Sequence, residues 1–308
     1  MPAPAARLTR LDPVTIGPGL TDPDNVSGIG FVGDFMLLVC DETAQVDVLK
    51  RTAAGYAVLP PIKLGKRGEY DLESVATTGT TVYAVGAHSR VRSRIKPDDT
   101  YADAQAKMTK IKDNDGKRDV LVRFTLAADG TAVGLERTSL RAAIEASEVL
   151  EPFAGLPGKE NGVDVEGLAV RGDVLFAGFR GPVLRDNYVP VMRIKFGKDR
   201  GEVLFVTLGG RGVRDLVAVG DGLLILAGPV GDGPGGYQIY HWNGHDCLPK
   251  ANPAGACVWL CDIVPAVAGA KPEGLAVRAE DEDGWEFVLV CDTAANGGAT
   301  AYRLDRKA

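Results

Sequence analysis

The sequence predicts an all-β chain built as a five-bladed β-propeller, and three observations carry that expectation. A short stretch, Asp164-Val165-Glu166-Gly167-Leu168-Ala169-Val170, recurs along the 308 residues. Lys271-Pro272-Glu273-Gly274-Leu275-Ala276-Val277 repeats it closely, Asp71-Leu72-Glu73-Ser74-Val75-Ala76 loosely. Arg214-Asp215-Leu216-Val217-Ala218-Val219 keeps an acid and the apolar run, and Ser27-Gly28-Ile29-Gly30-Phe31 puts serine in place of the acid. Second, each copy is followed by a turn and an apolar strand: Phe35 to Cys40, Thr81 to Gly86, Val174 to Gly178, Leu223 to Ala227 and Phe287 to Cys291. Third, Gly 39 and Pro 18 supply many turns, and 45% hydrophobic residues supply a core. A repeated unit that cannot bury both faces alone closes on its own copies.

In chain order, Arg7 to Ile16 reads as one strand without a nearby partner. Gly28 to Val32, Phe35 to Cys40, Gln45 to Lys50 and Tyr56 to Leu59 form the first blade, with turns at Gly33-Asp34 and Ala54-Gly55. The second blade starts at Glu73. It is interrupted by a charged insertion at about 90–118, too polar for core strands, and is completed by Asp119 to Leu126 and Ala132 to Thr138. A helix is expected at about 139–150, with Leu140, Ala143, Ile144 and Ser147 on one side. The third blade runs from Glu166, with Val191 to Phe196 and Glu202 to Leu208 outermost. The fourth runs from Asp215, with Gln238 to Trp242 and Cys257 to Ile263. The fifth runs from Glu273 to Leu304 and lacks one strand. Arg7 to Ile16 is expected to supply it, because an open ring leaves backbone groups unpaired. A sixth blade hidden between Glu73 and Glu166 is the alternative; charge-rich sequence there argues against it. The chain reads as a single domain, 1–308.

The net charge of -6 argues against non-specific nucleic-acid binding, which needs a basic face. No window is apolar and long enough to cross a bilayer, and no signal peptide is visible, so a cytoplasmic protein is expected. Five cysteines, an odd number, read as reduced thiols. His241, His245, Cys247, Cys257 and Cys261 match no common zinc spacing. The glycine-rich 231–236 stretch precedes no helix, so a phosphate-cradling loop is not expected.

In a propeller the first strands line a central channel. The repeat is read as placing Ser27, Glu73, Glu166, Asp215 and Glu273 at one level, a ring of oxygen ligands. Close carboxylates repel and rise in pKa unless a cation sits among them, and hard oxygen donors suit Ca²⁺ ahead of Mg²⁺. Loops after the second strands open on the same face: Asp41-Glu42-Thr43, His88-Ser89-Arg90, Arg180-Gly181-Pro182, Gly228-Pro229 with Asp232, and Asp292-Thr293. His88, Arg90, Arg180 and Asp292 are the candidate ligand-binding residues, and His88, Arg180 and Asp41 the catalytic candidates. Arginine and histidine there suit a small anionic ligand.

Asp164-Val165-Glu166-Gly167-Leu168-Ala169 with Gly178-Phe179-Arg180-Gly181-Pro182-Val183-Leu184 resembles the bacterial family domain of unknown function 3616. So do Asp71-Leu72-Glu73-Ser74, Gly86-Ala87-His88-Ser89-Arg90 and Lys271-Pro272-Glu273-Gly274-Leu275. The resemblance runs from about Asp24 onward; it implies a β-propeller and no particular activity. The axial order Ser27, Glu73, Glu166, Asp215, Glu273 also resembles the calcium-activated nucleotidases (apyrases), whose axial order is Ser, Glu, Glu, Ser, Glu; Asp215 departs at the fourth place. Val39-Cys40-Asp41-Glu42-Thr43 is similar to their acidic first-blade loop. That likeness implies calcium and a metal-dependent phosphate-ester hydrolase. The other readings are a non-catalytic propeller binding a cation and a small anion, and a protein–protein platform docking through the insertion.

Overall fold

The computed structural model describes residues 4–65, 68–112, 116–231, 233, 235–251 and 256–306. Five antiparallel sheets stand in a ring, each entered at the axis. Blade I holds Val26–Val32, Phe35–Cys40, Gln45–Thr52 and Gly55–Val58, with Ile62–Lys63 also pairing to its third strand. Blade II holds Leu72–Thr78, Thr81–Gly86, Leu121–Leu126 and Ala132–Thr138. Blade III holds Asp164–Arg171, Val174–Gly181, Tyr188–Lys195 and Glu202–Thr207. Blade IV holds Gly212–Val219, Gly222–Gly228, Tyr237–Trp242 and Cys257–Ile263. Blade V holds Lys271–Glu280, Gly284–Asp292 and Thr300–Asp305, and Arg7–Pro13 is its outermost strand.

Five blades rather than six follow from the core. Its five apolar clusters each lie between two neighbouring blades: I–II, II–III, III–IV, IV–V and V–I. The stretch between Thr78 and Asp164 adds no further blade among the described residues; Leu140, Ala143, Ile144 and Leu150 from it fill the II–III cluster. Burial of side chains on both faces of each sheet is the main stabilising term of such a ring.

The closing strand pairs as expected, with Arg7 opposite Asp305, Leu8 opposite Leu304 and Pro13 opposite Thr300. The pairing ends at Pro13, short of Ile16, because the chain leaves for blade I. There Ile16 bridges Tyr56, Tyr56 N–H donates to Thr15 O at 2.9 Å, and Gly17 N–H donates to Tyr56 O at 2.8 Å. Gly55, at φ +122, permits this crossing: a Cβ on it would stand 2.4 Å from Thr15 O. Ala6 N–H donates to Leu260 O at 3.1 Å, so the N-terminal segment ties blades IV, V and I.

The helical expectations are corrected. The helix expected at 139–150 is only Arg141–Glu145, followed by a 3-10 turn at Glu151–Phe153. The chain turns where Ser147 O accepts from Leu150 and Glu151. The insertion has structure of its own. Val91–Arg92 pairs with Ile111–Lys112, and between them lies a helix, Tyr101–Thr109, whose first turn is capped by Thr100 accepting from Asp103 N–H at 3.2 Å. This helix buries none of its residues. No helix among the described residues is long and apolar enough to cross a membrane.

Candidate functional site at the axial mouth

The first residues of each inner strand pair with the last residues of the second strand: Val26 with Cys40, Leu72 with Gly86, Asp164 with Gly181, Gly212 with Gly228 and Lys271 with Asp292. The post-strand loops and the inner-strand starts therefore share one end of the axis, as the sequence implies.

All five inner strands carry a register shift at the same level: Val26/Gly28, Leu72/Ser74, Val165/Gly167, Val213/Asp215 and Pro272/Gly274. A bulge leaves one residue out of the ladder and re-aims its side chain. The five residues so skipped are Ser27, Glu73, Glu166, Arg214 and Glu273. The ring is thus Ser-Glu-Glu-Arg-Glu, and Asp215 is not a member. Aligning the copies on Leu168, Leu216 and Leu275 instead of on the acid puts Arg214 opposite Glu166; that signal is present in the sequence.

Asp215 instead occupies the next level, with Gly28, Ser74, Gly167 and Gly274. Added Cβ atoms at Gly28 and Gly167 would stand 2.7 Å from Glu73 O and 2.8 Å from Val213 Cγ1, so the blades meet there with no room for side chains. The Asp215 carboxylate fills the remaining space. Oδ1 accepts from Ser74 Oγ at 2.7 Å and from its neighbour Leu216 N–H at 2.8 Å, and Oδ2 accepts from Leu275 N–H at 2.7 Å. Leu168 N–H donates to Ser74 Oγ at 3.1 Å. One carboxylate thereby ties blades II, III, IV and V. Burial pushes it up to about 8 against the pull of these donors. Below it the channel opens into an apolar hollow of about 160 Å³ lined by Ile29, Phe31, Val75, Leu168, Val170, Leu216, Leu275 and Val277 among others.

Above Asp215 the ring acids are largely held by arginine. Arg180 Nη1 stands 2.6 Å from Glu166 Oε1, and its Nη2 bonds Asp164. Arg214 Nη1 stands 2.9 Å from Glu166 Oε2, and its Nη2 bonds Glu273. Arg180 therefore spends both terminal nitrogens on its own blade, and Arg214 links blades III and V across the mouth. Ser27 turns its hydroxyl to backbone, to Leu72 O and at 3.2 Å to Val39 O. Among the described residues Glu73 is the ring carboxylate without an arginine, and it is half-buried. Burial, then Glu166, Asp71, Glu273 and Asp164, push it well above the usual carboxylate range. Burial also raises Glu273 to about 8 and Asp71 to about 7, although Arg118 stands 2.6 Å from Asp71. Asp41 rises to about 6 through burial and then Glu42 and Asp292. Asp292 itself meets Lys271 at 3.0 Å. Carboxylates outnumber cations here: Asp41, Asp71, Glu73, Asp164, Glu166, Glu273 and Asp292 against Arg118, Lys159, Arg180, Arg214 and Lys271.

His88 does not reach the mouth. It is fully buried beneath the II–III junction, where Nδ1 lies 2.7 Å from Gly86 O and Nε2 accepts from Leu140 N–H at 2.9 Å, with Ser139 Oγ at 3.3 Å. Accepting at Nε2 places the proton on Nδ1. Burial lowers the imidazole to about 4, so it is neutral and engaged at both nitrogens. Arg90 stands 3.9 Å from Asp119, and its backbone bridges Pro157. Asp232 lies outside the described residues. The five cysteines are free. Among the described residues no three His, Cys, Asp or Glu side chains converge to hold a metal ion.

Residues 25–136 and 131–303 match the family described as Protein of unknown function (DUF3616). The chain belongs to this family. Its five-bladed β-propeller agrees with the fold that the likeness of its motifs implied. No curated protein matches it by sequence. Among solved structures, Myxococcus xanthus glutaminyl cyclase superposes with a TM-score of 0.51 at 11% identity, covering 97% of both chains. The PQQ-bound aldose sugar dehydrogenase of Streptomyces coelicolor superposes with a TM-score of 0.45 at 12% identity, covering 98% of this chain and 99% of that one. At such identities the first of these shows shared fold alone.

Proposed function

We propose that this member of the family is a binding propeller whose acidic axial mouth takes a cationic group, seated on Glu73 with Asp71 and Glu273 beside it. The observation behind this reading is that Glu73 faces four other carboxylates and has no guanidinium of its own, while its neighbours Glu166 and Glu273 do. Such a group either keeps its proton or finds a cation. Two cations suit it: a divalent metal, Ca²⁺ before Mg²⁺, or an ammonium. Arg180 and Arg214 already pair with Glu166 and Glu273, two of the carboxylates a coordinated metal ion would need, which favours the ammonium. Hydrolysis has less support, since His88 is shielded and neutral and Arg180 is committed to Asp164 and Glu166.

Calorimetric titration with calcium chloride and with methylammonium chloride tests the reading. Binding is expected to strengthen from pH 5 to 8 as Asp71, raised to about 7, and Glu273, raised to about 8, give up their protons. Glu73→Gln is expected to weaken it by at least about tenfold, the loss of one charge-assisted contact. Unchanged binding in Glu73→Gln sinks the proposal.

A further inference from the structure

Among the described residues, three buried side-chain atoms of this one mouth have neither a hydrogen-bond nor an ion-pair partner, Asp41 Oδ1, Arg180 Nε and Arg214 Nε, while Glu166 Oε2 meets the Arg214 guanidinium at 2.9 Å. Arg214 is 5% exposed, so bulk water does not serve it. Buried donors and acceptors in native proteins are satisfied by protein, by ordered water or by a ligand, and a cluster of unsatisfied ones marks a place where something polar binds. The orphans here are of two kinds. Two are N–H donors on guanidinium groups whose terminal nitrogens are already taken by carboxylates. One is a carboxylate oxygen, Asp41 Oδ1, at the same mouth as Glu73.

From this pattern we infer that the ligand of the mouth is bipolar, an ammonium joined within a few bonds to an acceptor oxygen, the chemistry of an α-amino acid or a peptide amino terminus. The inference rests on the cation reading above and adds the second pole. A bare cation answers the acidic side of the mouth, Glu73 and its neighbours, but leaves Arg180 Nε and Arg214 Nε empty. A bare anion answers the two N–H donors but meets a mouth in which carboxylates outnumber cations. An ammonium offers three donors to Glu73 and the carboxylates around it, and a neighbouring carboxylate or carbonyl oxygen accepts from the guanidinium N–H groups. Arg214 holds the position between the two poles, because its bulge sets it in the ring beside Glu166 and Glu273.

The test compares methylamine, acetate, glycine and glycylglycine on the full chain by calorimetry or by chemical-shift titration at pH 8. Glycine or glycylglycine is expected to bind at least about tenfold more tightly than methylamine, and acetate more weakly than either, as a charge-assisted hydrogen bond to the second pole requires. Whichever of the two wins shows whether a free amino acid or a peptide terminus is the source. Arg214→Lys keeps the charge but removes the Nε donor; it is expected to cut the ratio of glycine to methylamine affinity to within about threefold, whatever it does to methylamine binding itself. If that variant does not fold, the ligand series on the unaltered chain decides alone. Glycine and glycylglycine binding no better than methylamine overturns the bipolar ligand and leaves the cation site standing. If none of the four ligands nor calcium binds, the cation reading falls and this inference with it.

Discussion

Arg180 and His88 carry the clearest message at the scale of single residues. Both end or follow second strands, and both are ordinary candidates for a ligand face. Arg180 is tied to Asp164 and Glu166, with 13% of its side chain exposed. Removing one partner from a buried ion cluster leaves uncompensated charge, which costs about 3–5 kcal/mol. Arg180→Ala is therefore expected to lower the melting temperature sharply, and calorimetric scanning checks it; a melt like that of the parent chain shows the cluster to be dispensable. His88 makes a pH prediction. Its folded pKa is lowered to about 4 from an ordinary 6.5, so the unfolded chain takes up a proton first as pH falls. Its contribution is present above about pH 6.5 and is lost toward pH 4. The raised carboxylates Glu273 and Asp215 act in the opposite sense, binding protons in the folded state up to about pH 8. The histidine is isolated by difference: His88→Gln should narrow its stability deficit against the parent as pH falls from 7 to 4. A deficit independent of pH in urea melts removes the histidine from the linkage.

Among the elements, Arg7–Pro13 has an influence beyond its size. Most of its side chains are exposed, so it adds little apolar burial. It supplies the ladder partner of Thr300–Asp305 and carries the chain across to Tyr56 of blade I. Deleting residues 1–17 uncovers the edge of blade V and removes the tie between its neighbours. The truncated chain is expected to melt at least several degrees lower and to aggregate through that edge; light scattering and a thermal melt decide it, and a parent-like melt rules the closure model out. The insertion helix is the counterexample. Tyr101–Thr109 buries nothing, and its sequence shows no apolar stripe wide enough to separate it from solvated coil. Thr100, Asp103 and the Lys107–Asp99 pair at 2.6 Å hold it locally.

The whole molecule couples its mouth to its stability. Inner strands from all five blades place ring residues within one another's field, and each deprotonation there is opposed by the others. Without a cation, stability should decline from about pH 5 toward pH 8 through Asp71, raised to about 7, and Glu273, raised to about 8. A cation that binds the ionised ring should offset that decline by mass action. The expected result is a melting temperature that rises with saturating calcium or methylammonium at pH 8 and barely moves at pH 5. Equal shifts at both pH values place the binding elsewhere.

The propeller, its five blades, its closing strand and the face on which acids gather were legible in the sequence, because they follow from periodic apolar runs, turn residues and one repeated heptad. Those signals are local, and a repeat multiplies each of them. The ring's fourth member was not legible on the reading that aligned acid with acid. A bulge shifts the register by one residue, and one residue exchanges Arg214 for Asp215, a mouth-facing cation for a buried axial tie. Only the tertiary structure decided that Arg180 and Arg214 stand between the acids, that His88 turns inward to Gly86 and Leu140, and that Glu73 is left without an arginine. Charge pairing across blades depends on which side chains meet after closure, and residues such as Glu166 and Arg214, far apart in the chain, carry no local trace of having met.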